Sequence, residues 1–165
     1  MPGTIYFYRT SHPFSNFHPS VFTGDGVTYR WAEQYLMARK ARLFGDEERF
    51  AAILAARTPG ECKALGRRVT PYDDEVWARE RYGAALDMLR LKFGQDARLR
   101  AALLGTADAL LAEASPTDRS WGIGFSENEA GAHRHAWGEN LLGRALMEVR
   151  AELRKPEHLK EEVSP

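Results

Sequence analysis

Six separate stretches of this chain repeat apolar residues every three to four positions, and that rhythm constrains its fold more than any other feature. The spacing predicts helices within 29–44, 45–57, 58–69, 71–94, 96–106 and 140–155. Asp46 stands as an N-cap for the second, Pro59 falls in the first turn of the third, and Gly105 stops the fifth. Each helix has an apolar stripe that must be covered by another element. Strand patterning is scarce beside this. TIYFY (Thr4–Tyr8) reads as a short strand, and TGDGVTY as a hairpin turn ahead of the first helix. ADALLAEAS (Ala107–Ser115) fits a strand or a helix by pattern. The expected architecture is a predominantly helical α+β single domain over residues 1–155 with a small β-sheet. Residues 156–165, EHLKEEVSP after Pro156, form a polar C-terminal tail expected to be disordered.

The first helix breaks its own pattern. In YRWAEQYLMARKARLF, Glu33, Met37, Lys40 and Phe44 share one face at 100° per residue, so an acid and an amine lie on the apolar stripe. They are about two turns, roughly 10 Å, apart, beyond the reach of pairs three or four residues apart. Arg39 and Arg42 fall on the opposite face. Two readings follow: peripheral side chains with a snorkelling lysine, or a pocket in which acid and amine converge on a ligand. Lysine is scarce, at five of the 23 basic residues: Lys40, Lys63, Lys92, Lys155 and Lys160. Arginine does not give up its proton, whereas a buried lysine can, which directs attention to Lys40, Lys63 and Lys92. Lys92 also suits the C-terminal dipole of the longest helix or a phosphate contact, and Lys63 reads as a surface residue.

Charge and composition exclude several classes. The chain has 23 basic and 23 acidic residues, so it lacks the overall positive charge of a non-specific nucleic-acid binder. No apolar run approaches the ~20 residues a membrane helix needs, and MPGTIYFYRT has no signal-peptide pattern. A cytoplasmic location is expected. The single cysteine, Cys62, cannot form an internal disulfide and reads as an inert, partly buried thiol. His133 and His135 alternate without further ligand residues nearby, so neither a metal nor a cofactor is expected.

Two loops carry site-like composition. In PFSNFHP, Asn16 stands between Phe14 and Phe17. Aromatic faces beside an amide suit a planar heterocycle, and core filling suits the same phenylalanines equally. In DRSWGIGF, Trp121 precedes Gly122 and Gly124, glycines that let backbone N–H groups approach an anion or a sugar. No Walker loop, dinucleotide fingerprint or Gly-x-Ser-x-Gly elbow is present.

The motifs FSNF, AEQYLMARKA, LGRRV, LKFGQDARLRAALLGT, DRSWGIGF and GENLLGRALMEVR, in this order over residues 5–153, resemble the NADAR (YbiA-like) family. The resemblance implies metal-free, cofactor-free hydrolysis of an N-glycosidic bond on a ribosylated base. Family members act on phosphoribosylated pyrimidine intermediates of riboflavin synthesis or remove ADP-ribose from guanine in DNA. Its Glu and Lys seven residues on fall on Glu33 and Lys40. Its Asp-x-x-Trp-Gly falls on Asp118, Trp121 and Gly122, its Gly-Arg on Gly66 and Arg67, and its Asn-x-Leu-Gly on Asn140, Leu142 and Gly143. Ile123 stands where some members have an acid, and Trp31 where many have Thr. Both departures are expected to touch the pocket and the choice of substrate.

The expected roles are Lys40 as Schiff-base nucleophile and Glu33 as general acid and base, with Asp118 sharing that work. Phe17 and Trp121 would stack on the base, Asn16 read its edge, and Arg67 hold a phosphate, with Gly122 and Asn140 completing the substrate contacts. A closed-ring route with an oxocarbenium-like transition state keeps Lys40 as an electrostatic clamp. A non-catalytic module for NAD-derived or ADP-ribosyl ligands is the alternative of another class. The expected partner is the ribosylated nucleobase itself, free or within ADP-ribosylated DNA, with no membrane.

Overall fold

A computed structural model describes residues 3–155 of the chain; the tail expected at 156–165 lies outside them. In chain order the elements are β1 (Thr4–Phe7), β2 (Pro19–Gly24), β3 (Val27–Trp31), α1 (Ala32–Leu43), α2 (Glu47–Ala55), α3 (Pro59–Gly66) and α4 (Asp74–Gln95). Then follow α5 (Ala97–Leu104), β4 (Leu110–Glu113), α6 (Glu127–Ala130), a 3₁₀ helix (Gly131–Ala136) and α7 (Leu141–Leu153). The chain is mostly helical, with two two-stranded sheets among the described residues. Its contacts divide it into two compact units, one of residues 9–96 and one joining the segment up to Tyr8 with the segment from Ala97.

In the 9–96 unit, Tyr29–Trp31 belong to β3 rather than to the first helix. The hairpin β2–β3 turns on Asp25 and Gly26, both at positive φ (52° and 78°), as a two-residue loop of the primed type requires. Helix α1 is buried from Ala32 to Met37 without interruption and packs on β3, α2, α3 and α4. A helix covered on so many sides must satisfy its polar residues internally. Gln34 does so: its Oε1 accepts from the N–H of Arg30, and its Nε2 donates to the carbonyls of Ile53 and Leu54 at the end of α2. No side chain caps the start of α1; instead the carbonyl of Asn16 accepts the N–H of Glu33 at 3.0 Å. Asp46 caps α2 through Arg49 N–H, and Thr58 caps α3 through Glu61 N–H with Pro59 just inside. Gly66 is where α3 meets α1, for a Cβ there would stand 2.0 Å from the Met37 sulfur.

In the other unit, ADALLAEAS resolves into β4, which pairs in parallel with β1 (Ile5 opposite Leu111). Helix α7 buries Leu142, Leu146 and Val149 and packs on β4 and α5, while Leu153 is only half-buried. The buried Arg150 donates to the Thr106 hydroxyl and the Ala109 carbonyl, each at 2.8 Å. The stretch 116–140 contains α6 and the 3₁₀ helix, so GAHRHA is helical. Phe125 stacks parallel on His133 at 4.7 Å, and the Arg134 guanidinium lies 4.0 Å over Trp137.

Candidate active site

The acid and the amine on α1 occupy the apolar setting that their helical phase demands. Glu33 is 8% exposed and Lys40 is half-buried. The Lys40 Nζ lies 4.6 Å from the centre of the Tyr72 ring and 5.9 Å from that of Trp77. Desolvation by this aromatic cover lowers the pKa of the amine. Glu33 and Asp74 oppose the shift and Arg67 adds to it, and the net direction is down. The Glu33 carboxylate raises the pKa of the amine, so the two charges feel each other across the covered face.

Asp74 also receives a hydrogen bond from Tyr72, whose phenol is pushed up to about 12, first by desolvation and then by that carboxylate. Tyr72 therefore remains a neutral donor throughout the physiological range. Three residues thus join Glu33 and Lys40 that the sequence reading did not place there: Tyr72, Asp74 and Trp77. Trp77 reads from spacing as core, and nothing local in PYDDEVW links it to residue 40. Only the packing of α4 on α1 does so.

Arg67 caps the C-terminus of α3, exposed, with its charge felt at Lys40. The two phenylalanines around Asn16 separate in role. Phe14 is core, 6.0 Å from Phe93, whereas Phe17 is half-buried with the Lys63 Nζ 5.9 Å from its ring centre. Lys63 is accordingly half-buried against an aromatic ring rather than a plain surface residue. Asn16 is 8% exposed, and its side-chain Oδ1 has no hydrogen-bond partner among the described residues. A buried amide oxygen left this way is a demand for a donor. Cys62 is fully buried, and burial, with Glu33 next in weight, raises its thiol to about 11, so it is an inert thiol in this setting.

A concavity of about 280 Å³ lined by Arg42, Asp46 and Phe50, among others, opens at the far end of α1. It contains neither Glu33 nor Lys40. Asp46 is engaged by the N–H groups of Arg49 and Thr70, and the Arg42 guanidinium lies 4.2 Å over Phe50.

The remaining expected residues belong to the other unit. Asp118 Oδ1 accepts the N–H groups of Ser120 and Trp121 at 2.8 and 2.9 Å, which folds the loop into an Asx turn. The carbonyls of Ser120 and Trp121 then accept the N–H groups of Leu141 and Leu142 at the start of α7. Trp121 itself is half-buried.

Asn140 makes backbone contacts with both atoms of its side-chain amide. It sits in the left-handed region (φ 52°), its Oδ1 accepts from Glu113 N–H and its Nδ2 donates to the Leu111 carbonyl. Both amide atoms clip α7 to β4, so Asn140 shapes the loop. Gly122 likewise answers to packing, since a Cβ there would stand 2.9 Å from the Glu113 carbonyl oxygen. Ile123, expected near the pocket, is fully buried in a core cluster with Ala112, Ala114 and Ala130. Trp31 is half-buried at the N-cap of α1 under the Arg30 guanidinium.

Comparison with known proteins agrees with the motifs. The NADAR domain model matches residues 6–154. N-glycosidase R617 of Acanthamoeba polyphaga mimivirus is 38% identical over 148 residues, covering 86% of this chain and 87% of the relative. N-glycosidase Npun_R5314 of Nostoc punctiforme is 38% identical over 154 residues, covering 92% and 93%. The NMR structure of the E. coli protein YbiA superposes with a TM-score of 0.78 at 32% identity, covering 99% of this chain and 90% of that one. With its motifs in register, its fold shared and nearly its whole length matched, the chain belongs to the NADAR domain family.

Proposed function

We propose that this protein is an N-glycosidase that removes ADP-ribose from ADP-ribosylated guanine, free or within DNA. Hydrolysis of an N-glycosyl bond is what the relatives' names carry, as N-glycosidases of a virus and a cyanobacterium. The observation that supports an amine-centred mechanism is Lys40 itself: half-buried under Tyr72 and Trp77, with a lowered pKa and a buried carboxylate on the same helical face. A larger neutral fraction makes that amine a nucleophile towards a sugar carbon at the aldehyde level.

The sequence of steps balances with one water. Protonation of the ribose ring oxygen by Glu33 opens the ring at C1′. The Lys40 Nζ adds to C1′, and the C1′–N bond to guanine breaks as the base takes up a proton. The resulting Lys40 imine is hydrolysed by water, which regenerates the amine and releases ADP-ribose. Glu33 moves the protons in each direction. Tyr72 covers the amine with its ring face.

Asn16 supports the choice of base. Its buried, unpartnered Oδ1 calls for an N–H donor, and guanine presents adjacent donors on its Watson–Crick edge. Phe17 would stack on the base, and Arg67, exposed beside Lys40, suits the pyrophosphate.

The test is a product assay on an oligonucleotide carrying ADP-ribosyl-guanine, with wild type and Lys40→Arg side by side. Release of ADP-ribose by the wild type with loss of at least 10³-fold in Lys40→Arg is the expected result. Substantial activity in Lys40→Arg would replace the covalent route by the closed-ring one, in which the cation is a clamp. No release from this substrate, but turnover of a phosphoribosylated pyrimidine, would move the substrate and keep the reaction. Tight binding without release would leave a binding module.

A further inference from the structure

Lys92, near the end of α4, is 1% exposed and takes no part in the mechanism above. Its Nζ donates to the carbonyl of Ser15 at 3.1 Å and lies 5.2 Å from the Phe93 ring centre. The dipole reading of its position is incomplete, because the ammonium is bonded to the 12–18 loop. The titratable group that faces it is His12, whose own pKa is lowered by desolvation, then by His18 and by Lys92. Burial holds the Lys92 amine down to about 7.

A buried ammonium is a costly way to fill a core, and this one is tied to one particular loop. Residues 9–18 run as consecutive turns, with Ser15 N–H on the His12 carbonyl and His18 N–H on the Ser15 carbonyl. The Ser15 carbonyl therefore accepts twice, once locally from His18 and once from Lys92 across 77 residues. The next residue, Asn16, turns its carbonyl to the N–H of Glu33 and carries the unpartnered Oδ1. Phe17 follows, its N–H held by the Ser15 hydroxyl. A single fixed carbonyl thus sets where Asn16 and Phe17 stand and how the first turn of α1 is capped.

We propose that Lys92 is a positioning residue: its buried amine fixes the Ser15–Phe17 turn and, through the Asn16 carbonyl, the start of α1 that carries Glu33. The inference rests on the N-glycosidase reading for its kinetic consequence alone. Lys92 touches no reacting atom. Its loss releases a loop and leaves α4 folded, because methionine fills nearly the same volume without a charge.

The test uses Lys92→Met and Lys92→Gln in the full chain. Site-resolved amide exchange is expected to quicken at least tenfold at His18 and Glu33 in Lys92→Met, with α4 and α7 unchanged. In the ribosyl-guanine assay, kcat is expected to fall tenfold or more, and Lys92→Gln, which keeps a neutral donor, to recover part of the loss. Unchanged exchange at both amides would overturn the proposal, as would exchange that quickens evenly through α4 and α7, the mark of a general core defect. Should Lys92→Met fail to fold, Lys92→Leu, which likewise removes the donor, with normal loop exchange and normal kcat would overturn it equally. A wild type that releases no sugar would count against the N-glycosidase reading, while the exchange comparison would still decide the role of Lys92.

Discussion

Replacing Lys92 by methionine should stabilise the protein, and by an amount that depends on pH. The amine is almost wholly covered, with an ordinary pKa of 10.5 brought to about 7 by burial. The sign follows from proton counting. Below pH 7 the amine is protonated in both folded and unfolded chains, so the fold bears the full cost of a buried ammonium. Between about 7 and 10.5 the unfolded chain holds the proton and the folded one does not, so stability rises with pH. Above 10.5 both are neutral and the cost is gone. At 1.36 kcal/mol per unit, the pH-dependent part amounts to about 5 kcal/mol as an upper bound. Against it stands the lost hydrogen bond to Ser15, about 1 kcal/mol and independent of pH. Urea unfolding of wild type and Lys92→Met from pH 6 to pH 10.5 isolates the effect, since the groups that Lys92 does not face cancel in the difference and His12, whose pKa Lys92 lowers, contributes only at the acid end of the range. The variant should lead by several kcal/mol at pH 6, and the lead should shrink steadily towards pH 10.5. A difference that stays flat across this range would show that the amine is not buried with a shifted pKa, and the reasoning would fail.

Other consequences are sharper in space. Gly66→Ala forces Met37 out of its place, since the added Cβ would stand 2.0 Å from its sulfur; a loss of about 1–3 kcal/mol in denaturant unfolding is expected. Asn140→Ala removes both hydrogen bonds to β4 and puts alanine at φ 52°, so a loss of about 2–4 kcal/mol is expected, and Asn140→Gly should recover the conformational part alone. Cys62, buried with a thiol raised to about 11, should resist a disulfide reagent at pH 8 until denaturant is added. The sugar-releasing rate should fall as pH falls through the lowered pKa of Lys40, and Tyr72→Leu should weaken turnover while leaving the fold intact at this half-exposed position.

How far the sequence reaches depends on the range of the interaction that places each residue. The phase of Glu33 and Lys40 on α1 is a local property, set by 100° per residue, and the helix places both where that rule predicts. Caps are equally local, and Asp46 and Pro59 stand where their chemistry requires. Helix ends are less legible. Tyr29–Trp31 continue the apolar rhythm of α1, yet they pair with β2 because the Asp25–Gly26 turn returns the chain there first. ADALLAEAS was undecidable for a related reason: its strand character comes from pairing with β1, about a hundred residues away.

Side-chain roles diverge most where one residue type serves two ends. An asparagine beside glycines in a loop suits a ligand or a backbone clip, and spacing does not distinguish them. Asn16 and Asn140 differ in where their side-chain atoms go. At Asn140 the left-handed backbone aims the amide at β4, and both of its atoms find partners. At Asn16 the backbone carbonyl makes the structural contact, to Glu33 N–H, which leaves the side-chain oxygen buried and unbonded. A fold tolerates such an orphan at a cost of about 1–3 kcal/mol. That cost has a use if a ligand N–H removes it on binding. Asn16→Asp therefore separates the two accounts. A carboxylate at this place keeps an acceptor for guanine but carries a charge into a buried position. It should raise KM, leaving backbone exchange at Glu33 as in the wild type. Were the Asn16 side chain structural like that of Asn140, Asn16→Asp would instead quicken exchange at Glu33 and leave KM unchanged.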